Sequence, residues 1–513
     1  MAAKPGTIDS LASYMISGYY RDEGEAPRHW QTSGGAITVN LSGLTGEGQA
    51  LARAALDAWE MVADLRFQET SGGADITFDD GRAGASTSTS YYPSTGEMIS
   101  ASVNIGASWL GIYGTTVGSY SFQTYLHETG HALGLGHTGT YGGGATYAEA
   151  TWANDSWQRS VMSYLDQNEN PNVRADKAYV ASPMMADIVA IQALYGAPRG
   201  GATAGDTTWG AGSKLPGHMK GVFGPGPGDV GRNALTIFDE GGTDTLDLSS
   251  GGAAQVIDLT PGALSSSHGQ LDNIGITRNT VIERAHGGSG ADSITGNGAA
   301  NLLKGNDGAD KLYGGDGADD LYGGEGRDRL HGGAGGNRLW GEKGDDLLQG
   351  GGDGEVLYGG AGADSLDGGG GGDRAHGDGG ADHIDGGEGH DRAWGDAGDD
   401  RLVGGSGDDQ LAGGAGSDVL AGGADDDRLI GGGGHDSFVY TSGADVVLDF
   451  EDDVDTLVLD DALWGGRSIS ADRVLDFARA SGGDVVFDFG QGDTLRVEGL
   501  KSATLLLDDL AIA

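Results

Sequence analysis

The sequence predicts a multi-domain fold: an α+β domain, then a parallel β-roll, then a β-rich carboxy-terminal cap. Three observations carry this. Residues 287–439 divide without a gap into 17 nonapeptides. Ahead of them, Met1 to about Gly196 mixes amphipathic helical patterns with short alternating strands. Behind them, brief apolar runs broken by Asp and Gly continue to the end of the chain.

Composition narrows the chemistry. The chain has 513 residues, 102 of them glycine, and 30 basic against 76 acidic residues give a net charge of -46. That charge disfavours nucleic acid and anionic membrane surfaces and favours bound cations. Cysteine is absent, so disulfides and thiolate metal sites are excluded and a transition metal must use His, Asp, Glu or Tyr. No apolar run is long enough to span a bilayer, and Met1 to Met15 lacks the apolar core of a signal peptide.

In the first domain, Ala36–Leu41 reads as a strand and Gly46–Val62 as a helix with Leu51, Ala55, Ala58, Trp59 and Val62 on one face. Leu65–Gln68, Ala74–Phe78 and Met98–Ile105 read as strands, with Ala83–Ser90 a candidate edge strand able to pair with an extended peptide. Ser121–Leu135 and Pro183–Leu194 read as helices, the second with proline in its first turn.

The first of those two helices holds Tyr125–Gly139, YLHETGHALGLGHTG. His127 and His131 are four residues apart and project from one helix face, close enough to share a metal. Gly134 can end the helix and turn the chain so that His137 supplies a third imidazole. Three neutral nitrogens leave one position open on Zn²⁺, as a catalytic site requires. Glu128 is placed to take a proton from water there. Downstream, Ser160-Val161-Met162-Ser163-Tyr164 matches a methionine turn; Tyr164 can reach the zinc as a ligand or an oxyanion as a donor.

The nonapeptide reads Gly-Gly-x-Gly-x-Asp-x-Leu-x. One large apolar residue per unit cannot offset the entropy of ordering so much glycine, and stacked aspartates repel. Both problems are solved if each Gly-rich turn binds a hard, oxygen-loving cation, for which calcium suits better than magnesium. The sixth position is Asp292, Asp310, Asp319, Asp328, Asp346, Asp364, Asp373, Asp382, Asp391, Asp400, Asp409, Asp418, Asp427 and Asp436; Asn301, Asn337 and Glu355 replace it in the other three units. Two units per turn predict about eight turns at ~4.8 Å. Departures at positions four and six (Ala299, Asp353, Asp425; Asn301, Asn337, Glu355), and the shrinkage of position eight to Ala (Ala375, Ala393), all fall in even-numbered units. One flank of the roll therefore collects every such defect and is expected to bind calcium more weakly. In the cap, Asp445–Phe450, Thr456–Leu459, Val485–Phe489 and Thr494–Val497 are the apolar runs.

Taken together, these motifs resemble the serralysin (alkaline metalloprotease) family of metzincins, along essentially the whole chain: Ala50–Trp59, Ser121–Gly139, the methionine turn, Asp187–Gly196, Phe238–Leu248 and the RTX repeats. The resemblance implies a metzincin protease domain followed by a calcium β-roll, with one catalytic zinc on His127, His131 and His137. Glu128 would be the general base, and Tyr164 a further ligand that swings off to steady the tetrahedral intermediate. It also implies structural calcium between the domains, at Asp239, Gly241, Gly242, Asp244 and Glu283, with carbonyl ligands at Gly205 and Thr207; Thr203 stands where the family commonly has arginine, and Thr138 where many relatives have proline. The implied segments are a propeptide or amino-terminal helix at 1–20, the protease domain at 21–196, a linking segment with calcium sites at 197–286, the roll at 287–439 and the cap with a secretion signal at 440–513.

The implied activity is hydrolysis of internal peptide bonds in protein substrates by a monomeric, extracellular enzyme. Its partners would be a type I secretion apparatus, reading an uncleaved signal in the Leu505–Ala513 tail, and a periplasmic protein inhibitor. The alternatives are an RTX surface or matrix protein in which proteolysis is secondary, and a zincin with a narrow peptide substrate.

Overall fold

Alternation of side chains builds the first sheet. The computed structural model describes residues 4–32, 35–141, 145–222, 233–466 and 469–513, in two compact units that meet in sequence at Arg284 and Ala285. Residues 1–3 of the amino-terminal segment expected to be trimmed lie outside the described residues. In the first unit the strands are β1 (Ile37–Gly43), β2 (Phe67–Glu69), β3 (Ile76–Asp79), β4 (Ala85–Tyr91) and β5 (Met98–Ile105). Their order is β2-β1-β3-β5-β4, with β4 antiparallel to β5 at the edge. Ile37, Val39 and Leu41 of β1 alternate inward. Ser and Thr fill most of β4, which leaves it half-exposed along its length.

The Gly46–Val62 helix has the predicted bounds, starts on a Thr45 side chain that accepts from Gly48 N, and buries the predicted face. Trp59 Nε1 donates to Leu126 O (3.2 Å), tying it to the Tyr120–Ala132 helix. That second helix ends three residues short of the predicted Leu135. Gly134 has φ +98°, and a Cβ there would lie 2.4 Å from Arg28 O, so the chain leaves the helix where only glycine fits. The later helix spans Met185–Tyr195 with Met184 as its cap, so Pro183 precedes the helix rather than sitting in its first turn. A helix at Ala107–Tyr113 was not expected; it buries only Leu110 and so has no apolar stripe to read. The amino-terminal helix, Ile8–Ser13, buries Leu11, and Met15 and Tyr20 beyond it are buried too.

In the repeats of the second unit the strands pair in parallel 18 residues on, as in Lys311↔Arg329 and Leu321↔Leu339. Two nonapeptides therefore make one turn, and even and odd units form opposite sheets. The eighth residue points inward throughout, from Leu303 to Leu429, with even Ala375 and Ala393 no more than 3% exposed. Each buried Leu contributes about 1.5–3 kcal/mol. The solenoid reaches about ten turns, more than the repeats alone predict, because the cap carries both sheets onward. Ser437–Tyr440 pairs with Thr456–Leu459 and that with Leu510–Ile512; Ala444–Val447 pairs with Asp493–Val497.

Candidate active site

His127 and His131 sit on successive turns of the Tyr120–Ala132 helix, ring centroids 4.7 Å apart. The turn at Gly134 returns His137 to within 4.5 Å of the His131 ring and 5.4 Å of the His127 ring. One ligand nitrogen from each lies within 4.8 Å of the others. His127 Nδ1 is 2.8 Å from Val161 O and His131 Nδ1 is 2.8 Å from Leu135 O. A carbonyl only accepts, so both rings donate through Nδ1 and turn an Nε2 lone pair into the shared space. There His127 Nε2 is buried without a partner, and His131 Nε2 faces His137 Nε2 at 2.9 Å. Burial holds His131 neutral, down to about 3, and lowers His137 as well. Neutral imidazoles aiming unsatisfied lone pairs at one point fit a divalent cation of zinc's preferences.

Glu128 is buried beside them. Thr87 Oγ1, on β4, lies 2.7 Å from Glu128 Oε2 and 2.9 Å from its main-chain O, so one hydroxyl proton is shared by two acceptors of the same residue. Burial raises the Glu128 carboxyl, against the opposing pull of His127 and Thr87. The Tyr164 ring is 4.6 Å from that of His137 and 5.2 Å from that of His127. Burial, then the nearby Glu128 charge, pushes its phenol up to about 12. A cavity of about 450 Å³ opens beside these groups, lined by Trp109, Tyr120, Trp157, Glu128 and Tyr164.

The methionine turn, together with residues that the motifs did not reveal, holds the site in place. Met162 is fully buried under the helix, so close that a Cβ on Gly130 would meet its Sδ at 2.6 Å. The turn is fixed by Asp187, fully buried, whose carboxylate accepts from Ser160 Oγ (2.5 Å), Val161 N (2.7 Å) and Met184 N (2.8 Å). Val161 in turn orients His127. On the other side, Thr138 Oγ1 donates to buried Asp155 (2.7 Å), which also accepts from Tyr141 OH, anchoring the loop that carries His137. The only signals for these were a carboxylate in the first turn of a helix and, for Thr138, its departure from proline.

The expected calcium positions divide into two sets. In the first unit, Asp244 N donates to Glu283 Oε2 (2.7 Å), Thr207 N to Asp244 Oδ1 (2.7 Å) and Gly241 N to Asp239 Oδ1 (3.0 Å). Thr207 Oγ1 reaches Gly205 O (2.8 Å), and Gly242 packs on Gly205. Asp244 Oδ2 is buried without a partner, and burial, with Asp239 and Glu283 nearby, pushes this carboxyl up to about 7. The cluster is assembled, though its three carboxylates do not converge as the histidines do. Among the described residues only the histidines and an exposed trio, Asp453, Asp508 and Asp509, meet that closely.

In the roll the sixth-position aspartates form two columns. Each main-chain N–H donates to Oδ1 one turn on, as from Asp310 to Asp328 (2.8 Å) and Asp364 to Asp382 (2.8 Å). The second oxygen is buried and unpartnered at Asp310, Asp319, Asp328 and Asp346, and again from Asp364 through Asp427. Burial first, and then the charge of column neighbours, raises these carboxyls, Asp382 to about 7. A file of half-satisfied buried carboxylates fits a hard cation on each turn. Asn337 breaks the even column: its Nδ2 donates to Gly335 O (2.7 Å).

Known proteins are similar to this chain in sequence. The profile described as Peptidase M10 serralysin C terminal matches residues 231–365, and the RTX calcium-binding nonapeptide repeat matches 349–384, 376–411 and 412–447. Metallopeptidase AprA of Pseudomonas marginalis is 33% identical over 324 residues, 57% of this chain and 65% of that one. Metalloprotease AprA of Pseudomonas entomophila (strain L48) is 36% identical over 57% of this chain and 60% of its own. Serralysin of Proteus mirabilis is 35% identical over 48% and 53% respectively. Over about half its length, this chain is similar to the serralysin/AprA metalloproteases at about 35% identity. It spans less than two thirds of the length of these curated relatives. The serralysin C-terminal match contains Asp239, Asp244 and Glu283, and the RTX matches contain Asp364 through Asp436. The repeats of this chain thus imply calcium binding, and its histidine triad is consistent with zinc. None of its described helices is long and apolar enough to cross a membrane.

Proposed function

We propose that the protein is a secreted zinc endopeptidase that hydrolyses internal peptide bonds of proteins and is folded by calcium outside the cell. The observation that carries this reading is the convergence of His127, His131 and His137 beside a cavity lined by His127, Glu128 and Tyr164. Zinc held by the three imidazoles would supply a Lewis acid and lower the pKa of a water.

The chain's own groups do the rest. β4 offers its free edge to an extended substrate, and the aromatic cavity receives one side chain. Glu128, its Oε2 steadied by Thr87, accepts the proton of the attacking water and passes it to the departing amine nitrogen. Burial brings the carboxyl's affinity for a proton closer to that task. Tyr164, kept protonated by burial, donates its phenolic O–H to the oxyanion as the carbonyl carbon becomes tetrahedral.

Cytosolic calcium is too low to fill weak oxygen sites, so the roll stays unfolded for export and folds where calcium is plentiful. The family's type I apparatus and protein inhibitor are the partners this reading supplies. Glu128→Ala should abolish casein hydrolysis, by on the order of 10³-fold or more, while elemental analysis still finds one zinc per chain. Turnover surviving in that variant removes Glu128 as the base, and active protein without zinc removes the reading altogether.

A further inference from the structure

One outer face of the roll carries a feature that proteolysis does not use. Position nine of the even units points away from the interior, and the strands stack these positions in register. Tyr322, Trp340, Tyr358, His376 and Trp394 lie ring upon ring, centroids 4.3–6.0 Å apart and planes within 11° of parallel. At the ninth positions of the odd units, among the described residues, the rings are Tyr313 and His331, edge to face.

Beside the rings, at position seven of the same strands, stand Arg338, Arg374, Arg392 and Arg428. Asp320 neutralises Arg338. Arg374, Arg392 and Arg428 are exposed and make no ion pair among the described residues. Arg374 and Arg392 are direct cross-strand partners, where like charges destabilise a sheet. In a chain with a net charge of -46, the arginine side of the rings is thus left open to anions, while Glu342, Asp378 and Asp396 stand on the other side of the rings in the same strands.

The ladder stops at Trp394, whose next partner is Ala412, followed by Ile430. Ala412 leaves one indole face without a ring against it. The result is a slot two rungs wide, about 10 Å, floored by Ala412, walled by Trp394 and Ile430 and rimmed by Arg392 and Arg428. That is room for one six-membered ring lying flat between two apolar surfaces.

We propose that this face binds an acidic polysaccharide, a polymer of uronic acid sugars. One pyranose ring stacks its C–H face on Trp394 in the slot, and the guanidinium groups of Arg374, Arg392 and Arg428 grip the carboxylates. A uronate chain carries one charge per sugar, a density like that of this arginine column. Nucleic acid carries a charge about every 1.7 Å and binds through dense neutralisation; Glu342, Asp378 and Asp396, exposed on the same strands across the rings from the arginines, restrict the face to a sparser charge met on the arginine side alone.

The test uses the full calcium-loaded chain, with hexagalacturonate and hexamannuronate as probes, read by calorimetry and by tryptophan fluorescence. Controls are a carboxyl-reduced hexasaccharide and a short DNA duplex. At least one uronate should bind, and the Arg392→Ala/Arg428→Ala variant should bind it at least tenfold more weakly. Ala412→Phe, which extends the ladder into the slot, should lose binding equally while keeping the calcium-dependent circular dichroism of the roll. Failure of both uronates to bind, equal binding of the neutral sugar, tighter binding of the duplex, or undiminished binding by either folded variant overturns the proposal.

Discussion

In the unit that ends at Arg284, a core of Trp59, Phe78, Phe122, Tyr125 and their neighbours buries whole side chains between helices and a sheet. In the unit that begins at Ala285, each nonapeptide buries one aliphatic residue, and the buried groups next to it are carboxylates. The first arrangement is paid for by hydrophobic transfer. The second places rows of acids in a dry interior, where each unpaired oxygen costs free energy until a cation arrives. Under the proposed function, the difference makes one part of the chain fold on its own core and the other fold on condition of a solute.

Removing calcium is the sharpest way to break the comparison. Excess chelator should abolish the β signal of residues 285–513 in circular dichroism, while helical signal from Gly46–Val62 and Tyr120–Ala132 persists. A single transition with simultaneous loss of both would show that the first unit depends on the cation as well.

The next largest effect belongs to the first unit. Asp187→Ala leaves the N–H groups of Val161 and Met184 buried without acceptors, at a cost of roughly 2–5 kcal/mol. Because Val161 O orients His127, turnover should fall as well, with zinc content reduced. Thermal unfolding unchanged from the parent chain would contradict the assigned role of this carboxylate.

How much of this was legible beforehand follows from the same contrast. The Gly46–Val62 helix and Met98–Ile105 strand have the bounds read from their periodicity, since a face that packs on a core leaves its period in the residues. The nonapeptide phase gave the 18-residue register for the same reason. His127, His131, Glu128 and His137 were readable because one helix and one turn bring them together. Thr87 and Asp187 were not, because they reach the site from 41 and 26 residues away through hydrogen bonds that no local pattern records. The aromatic ladder was hidden in plain view: its rings are 18 residues apart and become neighbours only once two units make a turn.

A smaller effect separates the units by pH. In chelator, the folded roll holds carboxyls such as Asp382 near 7 against a usual value of 3.8. The folded state therefore binds more protons than the unfolded chain between about pH 4 and 7, and its stability is lost as pH rises through that window. The metal-free roll should thus hold β structure only at low pH, its urea midpoint falling from pH 5 and reaching zero, with the β signal gone, by pH 8. With calcium the trend should reverse, because the ion competes with those protons. A midpoint that rises with pH in chelator would mean that the columns are already ionised in the fold.

The smallest effect lies within the roll, between its two flanks. Asn337 offers a neutral amide where the even column needs a carboxylate, and that amide is already engaged by Gly335 O. Asn337→Asp adds one negative charge beside Asp319, whose main-chain N–H now donates to the Asn337 oxygen (3.0 Å). Without calcium the extra charge repels its neighbours and should lower stability slightly; with calcium it completes a turn of the column. The variant should therefore gain calcium affinity on the even flank alone, seen as one more tight site in a titration. The matching change on the intact column, Asp328→Asn, should remove one. If both variants titrate like the parent chain, the flanks are equivalent and the even-unit substitutions carry no consequence for calcium.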